Sequence, residues 1–357
     1  MATTASKSRR PTISDVARRA GVSTSLVSLV LQGSPLVREP KRAAVDAAIK
    51  ELGYRPSRAA ATLAGGRTKT VGLIIDDYRN LWFVELLQGL QSELDKHGYH
   101  VTVLDSKAGD APGNGAIDQL LSMRVDGIVV AMDPRDSMLE ATWAPTVVAG
   151  WRDRIPEGAD LIANDDSAGG RLAAGHLLEL GHTRIGHLTG SGGAATHRRA
   201  GFLLRCAEAG LPVRLWGEGH GTSEEDGYQA ACALMDHFPD TTAIFAANDI
   251  MAVGALAALR ERGLQAPRDV SVLGYDNSPL AMSRYLDLSS VDAKSGDVGA
   301  GAAQALLARM EDPARTLLRT LIPPALAPRG TTAPLGARAG HRRRASQGPR
   351  PRPAHDL

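Results

Sequence analysis

The sequence predicts an N-terminal all-α helix-turn-helix headpiece followed by an α/β core of two doubly wound parallel-sheet lobes. Three observations carry this. Residues 12–28 hold two helix starts on either side of a Gly turn. From Thr70 onward, short apolar runs alternate with amphipathic helices. Charge is divided between the two regions: residues 1–70 hold 13 Lys+Arg against 4 Asp+Glu, a net of +9, in a chain whose total is only +2.

In the headpiece, Thr12 with Asp15 forms a capping-box pattern, Gly21 provides the turn, and Ser23 can cap a second helix. Val16, Ala17, Val22, Val27 and Val30 would hold the two helices together. Thr24, Ser25, Ser28 and Leu29 are then left on the outer face of the second, the face that enters a major groove in such motifs. A third helix begins at Arg38-Glu39-Pro40, with Pro in the first turn where its missing N–H costs little. Val45, Ile49 and Leu52 close a miniature core, and Gly53-Tyr54-Arg55-Pro56 ends the helix. Ser57 to Ala64 has high helix propensity but only two turns of length, so it needs a partner to stay ordered.

The core reads as repeated strand–helix units. Val71 to Ile75, Val101 to Leu104, Gly127 to Val130 and Thr146 to Ala149 are strands, with helices over Phe83 to Gly98 and Ala116 to Met123. A second set begins near Leu161, with helices Gly169 to Leu180, Arg199 to Ala209, Gly227 to Phe238 and Ile250 to Arg262. Its strands are Ile185 to Leu188, Ala243 to Ala246 and Val270 to Gly274. Short apolar strands between helices of this length are covered on both faces. Two such sheets leave a cleft at their carboxyl ends, where open α/β sheets bind ligands.

Charge bears on partners. The last 24 residues, from Pro334, are Arg/Pro/Gly-rich with net +5, which leaves −12 for the middle of the chain. A basic head on an acidic body suits phosphate neutralisation and thus DNA. The N-terminus lacks an apolar leader and no apolar run is long enough to span a bilayer, so a cytoplasmic protein without membrane contact is expected. Cys206 and Cys232 are too few for a disulfide framework and read as small core residues. The ten His show no paired metal spacing; most are expected to be solvated or capping, and no metal or cofactor is expected. There is no G-x-G-x-x-G after Val71 to Ile75, no phosphate-binding G-x-x-x-x-G-K-[ST] and no G-x-S-x-G, which argues against an enzyme.

The motifs taken together are specific. Asp15-Val16-Ala17, Gly21-Val22-Ser23, Val27-Ser28, Gly53-Tyr54-Arg55-Pro56 and Leu63-Ala64 are followed by His176-Leu177, Gly181-His182 and Ile185-Gly186. Then come Arg198 to Phe202, Asn248 to Gly254 and Val270 to Asp276. In this order they resemble LacI/GalR-type bacterial transcription regulators over about residues 12–332. That resemblance implies a repressor that binds a palindromic operator as a homodimer. It also implies a core like periplasmic sugar-binding proteins, with a small effector, a sugar or nucleobase-like metabolite, between the lobes.

By position, the resemblance places Thr24, Ser25 and Leu29 at bases and Ser23 and Ser28 at phosphates. It places Leu63 as a minor-groove wedge with Ala60 beside it, where an apolar side chain offsets unstacking by gaining contact area. Arg58 would add backbone charge. Leu29 either meets a thymine methyl or packs on the third helix. The effector contacts implied are Arg198, Asn248 and Asp276, with Tyr78, Asn80, Trp82 and Phe83 after the first strand. Asn248 also reads as a helix cap, Trp82 and Phe83 also read as core, and Trp151-Arg152-Asp153 lies at the same rim. Asn164-Asp165 reverses a common Asp-Asn pair, Ala293 replaces a frequent Gln, and Thr222 stands where an aromatic usually stacks. The expected division is 11–56 for the headpiece, 57–69 for hinge helix and linker, and 70–332 for the core. Its lobes would be about 70–162 plus 293–322, and 163–292 plus 323–332, with 333–357 a disordered basic tail.

Overall fold

The computed structural model describes residues 11–31, 34–54, 67–106, 115–134 and 144–336. The hinge segment with Arg58, Ala60 and Leu63, and the tail from residue 337, lie outside the described residues. Contacts divide the chain into two compact units, Met1–Thr70 with Arg124–Asp126, and Val71–Met123 with Gly127–Leu357.

The first unit is built on α1 (Ile13–Ala20), α2 (Thr24–Leu31) and α3 (Glu39–Leu52). Thr12 and Asp15 form the expected capping box, and α1 ends at Gly21 with φ 65°, a left-handed turn that costs glycine nothing. Ser23 Oγ accepts the Leu26 N–H at 3.2 Å and so caps α2. Val16, Ala17, Val27, Val30, Val37, Val45, Ala48 and Tyr54 form the core of this unit. Ile49 and Leu52 only flank it; Ala48 takes the inner position. The polypeptide after residue 66 is fixed by Asp126, whose carboxylate accepts from Thr68 N at 3.0 Å and from Lys69 N at 2.8 Å.

The second unit contains two six-stranded sheets. The first uses β1 (Thr70–Ile75), β2 (His100–Asp105), β3 (Gly127–Val130), β4 (Thr146–Ala149), β5 (Asp160–Asn164) and β11 (Arg319–Ile322). Its order is β11-β5-β4-β3-β1-β2. The second uses β6 (Ile185–Leu188), β7 (Arg214–Trp216), β8 (Ala243–Ala246), β9 (Ser271–Tyr275), β10 (Ser289–Asp292) and β12 (Ala325–Ala327). Its order is β12-β10-β9-β8-β6-β7, and among the described residues only β12 runs antiparallel to its neighbour. In both sheets the order reverses beside the first strand, β1 in one and β6 in the other. This reversal opens a crevice at the carboxyl ends of the strands.

The helices are α4 (Trp82–Asp95), α5 (Ala116–Ser122), α6 (Asp166–Glu179), α7 (Gly193–Glu208), α8 (Glu224–His237), α9 (Asp249–Glu261) and α10 (Ser295–Glu311). Three pairs cross at glycine. A Cβ on Gly170 of α6 would meet Arg198 O at 2.0 Å, and one on Gly201 of α7 would meet Ser167 O at 1.9 Å. Gly89 and Gly299 do the same for α4 with α10, and Gly227 and Gly254 for α8 with α9. Each pair brings backbone onto backbone, which any side chain at these positions would prevent.

Several boundaries differ from the sequence reading for local reasons. Helix α6 starts at Asp166, three residues before the expected Gly169, because the Asp165 carboxylate caps it through Ala168 N at 2.9 Å. Helix α7 starts at Gly193, since Gly and Ala there carry no apolar signal yet adopt helix. Strand β5 closes the first sheet rather than opening the second, its partners being β4 and β11. Helix α10 packs on the first sheet and is stapled there by a buried ion pair, Arg309 to Asp160 at 2.7 Å. Among the described His, His97, His100, His220 and His237 are exposed as expected, whereas His182 and His187 are buried. His187 stacks on Phe245 at 4.7 Å, and burial lowers it to about 4, so it stays neutral.

Candidate effector site and DNA-facing helix

The crevice is a polar cavity of about 140 Å³. An apolar cavity of about 150 Å³ admits benzene, so the inner part of this partly open crevice is on the scale of one ring. Most of its walls come from the ends of strands. Asp76 follows β1, Asp133 follows β3, Gly150 to Arg152 follow β4 and Asn164 ends β5. From the other sheet come Ser191 to Gly193 after β6, Ala247 and Asn248 after β8, and Asp276 after β9. Strand alternation and the doubly wound order bring these together from positions 200 residues apart (Asp76 and Asp276).

Arg198 is the hub. It projects from α7, is almost fully buried, and donates from Nε to Asp166 at 2.8 Å and from Nη1 to Ala247 O at 2.7 Å. Its Nη2 lies 3.3 Å from Asp276 Oδ1, and the guanidinium stacks 3.8 Å from the Tyr275 ring centroid. Burial disfavours the charged guanidinium, but Asp166 and Asp276 outweigh it and raise its basicity. Asp276 is pushed up to about 8, first by burial and then by Asp249 and Asp166, against the pull of Arg198. Its backbone is strained, with φ 100°, and Asn277 follows at φ 53°. The turn is held by Asp249, which accepts from Ser278 N at 2.7 Å and Ser290 Oγ at 2.7 Å.

Asn248 caps α9 through Met251 N at 2.8 Å and also lines the cavity, so capping and cavity placement coincide. Asn80, Trp82 and Phe83 line it as well, Trp82 and Phe83 being 7% exposed and packed in the core of the first sheet. Tyr78 does not. Its side chain is 58% exposed and its hydroxyl reaches Val103 O at 3.5 Å, because the turn at Asp77–Asn80 carries it away from the strand end. Thr222 and Asn164 are at the wall, and Asn164 donates to Ala293 O, so Ala293 contributes its carbonyl. Sequence reasoning missed Asp76, Asp133 and Asp166. Asp166 sits in an acidic run that reads as a helix start, and only the fold shows it facing Arg198.

On α2, Ser23, Thr24, Ser25 and Leu29 are exposed and Ser28 is half-buried. Leu26, not Leu29, packs against the core of the headpiece. Leu29, 39% exposed, therefore stays on the outer face.

A capped two-helix reader on one unit and a strand-end cavity on the other define a DNA-binding regulator controlled by a small effector. Comparisons with known proteins agree. The sequence model for bacterial regulatory proteins of the lacI family matches residues 12–57, and that for a periplasmic binding protein-like domain matches residues 174–332. The ribose operon repressor of Escherichia coli (strain K12) is 34% identical over 328 residues, covering 90% of this chain and 99% of that one. A LacI-family transcriptional regulator from Corynebacterium glutamicum is 40% identical, covering 75% of this chain and 100% of that one, with a TM-score of 0.67. The lac repressor dimer bound to operator and the anti-inducer ONPF is 28% identical, with coverage of 91% and 100% and a TM-score of 0.78. This chain belongs to the LacI family of bacterial regulatory proteins, and it is a transcription regulator rather than an enzyme. Among the described residues, no helix is long and apolar enough to cross a membrane, and no His/Cys/Asp/Glu group could hold a metal ion.

Proposed function

We propose that this chain is a cytoplasmic repressor that binds a palindromic operator as a homodimer and responds to a single-ring sugar in the strand-end cavity. The observation that carries the reading is Arg198. It is buried, committed to two carboxyl groups on different elements, and set in a polar cavity of about 140 Å³. Buried ionic clusters of this kind cost desolvation even when paired, and they concentrate at functional sites. The size of the cavity and its mix of amides, carboxylates and aromatic edges fit directional recognition of hydroxyls. The likeness to a ribose operon repressor supports the same class.

In this reading Arg198, Asn248, Asp276, Asn80, Trp82 and Phe83 contact effector. Thr24, Ser25 and Leu29 read bases, and Ser23, Ser28 and Arg58 hold phosphates. Leu63 wedges between base steps beside Ala60. The effector alters the relative setting of the two lobes, and operator affinity follows because the two settings differ in how the paired hinges meet DNA. The test is operator affinity with and without each member of a neutral sugar panel headed by D-ribose. A saturable change for one sugar, lost in Asp276→Ala with ligand-independent DNA binding kept, is expected. No response to any sugar would overturn the effector assignment, and equal affinity for operator and random DNA would overturn the repressor.

A further inference from the structure

We propose that the cavity accepts an uncharged, hydroxyl-bearing ring and rejects anionic derivatives of it, with Asp166 and Asp133 as the residues that set this choice. The inference rests on the reading of the cavity as the effector site and adds the charge class of the ligand.

Three cationic features border the cavity, and each has a carboxylate near it. Arg198 has Asp166 at 2.8 Å as its anion, with the Asp276 carboxyl at 3.3 Å and its remaining edge on Ala247 O. Arg152 donates to the carbonyls of Ala131, Ala149 and Trp151 and has Asp133, Asp76 and Asp166 as its charged neighbours. The third is the N-terminus of α7, where Gly193, Ala194 and Ala195 line the wall and no side chain caps the helix. Such a terminus ordinarily draws anions. Asp133 lies near this terminus without capping it: a Cβ on Gly192, the N-cap residue, would lie 3.8 Å from Asp133 Oδ2, and Asp133 accepts the Asp153 N–H at 2.8 Å. In all, the carboxylates Asp76, Asp133 and Asp166 and the Asp276 carboxyl, which keeps its proton at neutral pH, face two guanidiniums. A phosphate or carboxylate on the ligand would enter a site whose positive charge is spent.

The unsatisfied groups point to hydroxyls. Among the described residues, buried Asp166 Oδ2 accepts no hydrogen bond, buried Asp276 Oδ1 has only the 3.3 Å approach of Arg198 Nη2, and buried Arg152 Nε and Trp82 Nε1 donate none. Asp166 is 1% exposed, with the Tyr275 hydroxyl beside it. A ligand serving both sets must donate and accept. An ammonium only donates and a phosphate oxygen only accepts, whereas a sugar hydroxyl does both. Buried polar atoms without partners are rare enough in folded proteins that a group of them in residues lining one cavity is informative.

The experiment uses the full chain at pH 7, with thermal shift and calorimetry. The probes are neutral pentoses and hexoses, their phosphate esters, the matching amino sugars, and inorganic phosphate. At least one neutral sugar is expected to bind saturably, with its phosphate ester and amine each at least tenfold weaker, and inorganic phosphate should give no saturable shift. Asp166→Asn, which releases Arg198, should gain saturable phosphate binding. Asp133→Asn, at an exposed position, removes the negative charge beside the α7 terminus and should gain it too. An ester or amine that binds as tightly as the neutral sugar overturns the proposal. So does saturable phosphate binding by the unsubstituted protein that disappears in Arg198→Met, or failure of both Asn variants to gain it. If no sugar of any charge binds, the effector reading fails, while the inorganic phosphate arms still decide whether anions are excluded.

Discussion

Arg198 on α7 and Asp276 after β9 meet at 3.3 Å although 78 residues of chain separate them, and both are nearly inaccessible. The pair is not a surface bridge: with Asp166 it forms a buried cluster of one cation and two carboxyl groups. Removing the cation alone leaves the carboxyl groups buried without compensation, which typically costs about 3–5 kcal/mol. Arg198→Met is therefore expected to lower Tm by roughly 10 °C, given about 2–4 °C per kcal/mol for a unit of this size. Adding Asp166→Asn should recover part of the loss. Calorimetric unfolding of both variants checks this, and an unchanged Tm in Arg198→Met would show that the cluster contributes nothing to stability.

The sequence made the alternation of strands and helices legible, because each strand is a short apolar run bounded by turns. It did not show which sheet took β5, since an apolar strand carries no mark of its neighbours. It also under-read α7, whose first turn is Gly193-Ala194-Ala195, small residues chosen by close backbone approach rather than by an apolar stripe. Around the cavity, Arg198, Asn248 and Asp276 stand out in motifs at strand or helix ends. Asp166 and Asp133 do not: a carboxylate in a loop or at a helix start is ordinary on a surface, and only tertiary structure turns it inward. Tyr78 shows the reverse error, an aromatic two residues beyond Asp76 whose side chain the Asp77–Asn80 turn sends outward.

The headpiece yields a separation of folding from recognition. Leu29 is 39% exposed, whereas Leu26 packs with the core. Leu29→Ala should change headpiece stability by no more than about 0.5 kcal/mol, as for surface substitutions generally. Operator affinity should fall about tenfold if the side chain meets a thymine methyl. Thermal melts alongside operator titrations check the two halves. A large loss of stability would return Leu29 to the core.

Glycine gives a paired test of helix crossing. At Gly175 in α6 a Cβ would meet nothing within 4 Å, so Gly175→Ala should stabilise by about 1 kcal/mol through helix propensity. At Gly201 the same change puts Cβ 1.9 Å from Ser167 O, and overpacking of about 1–3 kcal/mol outweighs the propensity gain. Gly201→Ala should be destabilising, and it should weaken effector binding as well, because Asp166 and Arg198 sit beside this crossing. Opposite signs for the two Ala variants in chemical denaturation are expected; the same sign would mean that α6 and α7 do not approach as closely as described.

The protonation of Asp276 makes stability depend on pH in a definite direction. Burial first, then Asp249 and Asp166, raise the folded carboxyl from 3.8 to about 8, while Arg198 opposes. Between those values the unfolded chain has lost the proton and the folded chain keeps it, so folding takes up a proton. The contribution of this group is then fully favourable below about pH 4 and is lost as pH rises towards 8, with a slope of about 1.4 kcal/mol per pH unit. Asp249, raised to about 6 chiefly by burial, adds in the same direction over a narrower window. Carboxyls held below their usual range, such as Asp160 beside Arg309, act oppositely and dominate at acid pH, so the total curve alone cannot isolate Asp276. The comparison with Asp276→Asn does, because Asn has the shape of the protonated acid and does not titrate. From pH 5 to 7 the stability of the variant relative to the unsubstituted chain should rise by about 2–3 kcal/mol. Denaturant unfolding at several pH values measures it, and carboxyl carbon shifts read the titration directly. A difference that does not move with pH would mean that Arg198 prevails and Asp276 is ionised throughout. The acid could then not donate a hydrogen bond to an effector at neutral pH, and the Asp276 oxygens would act only as acceptors.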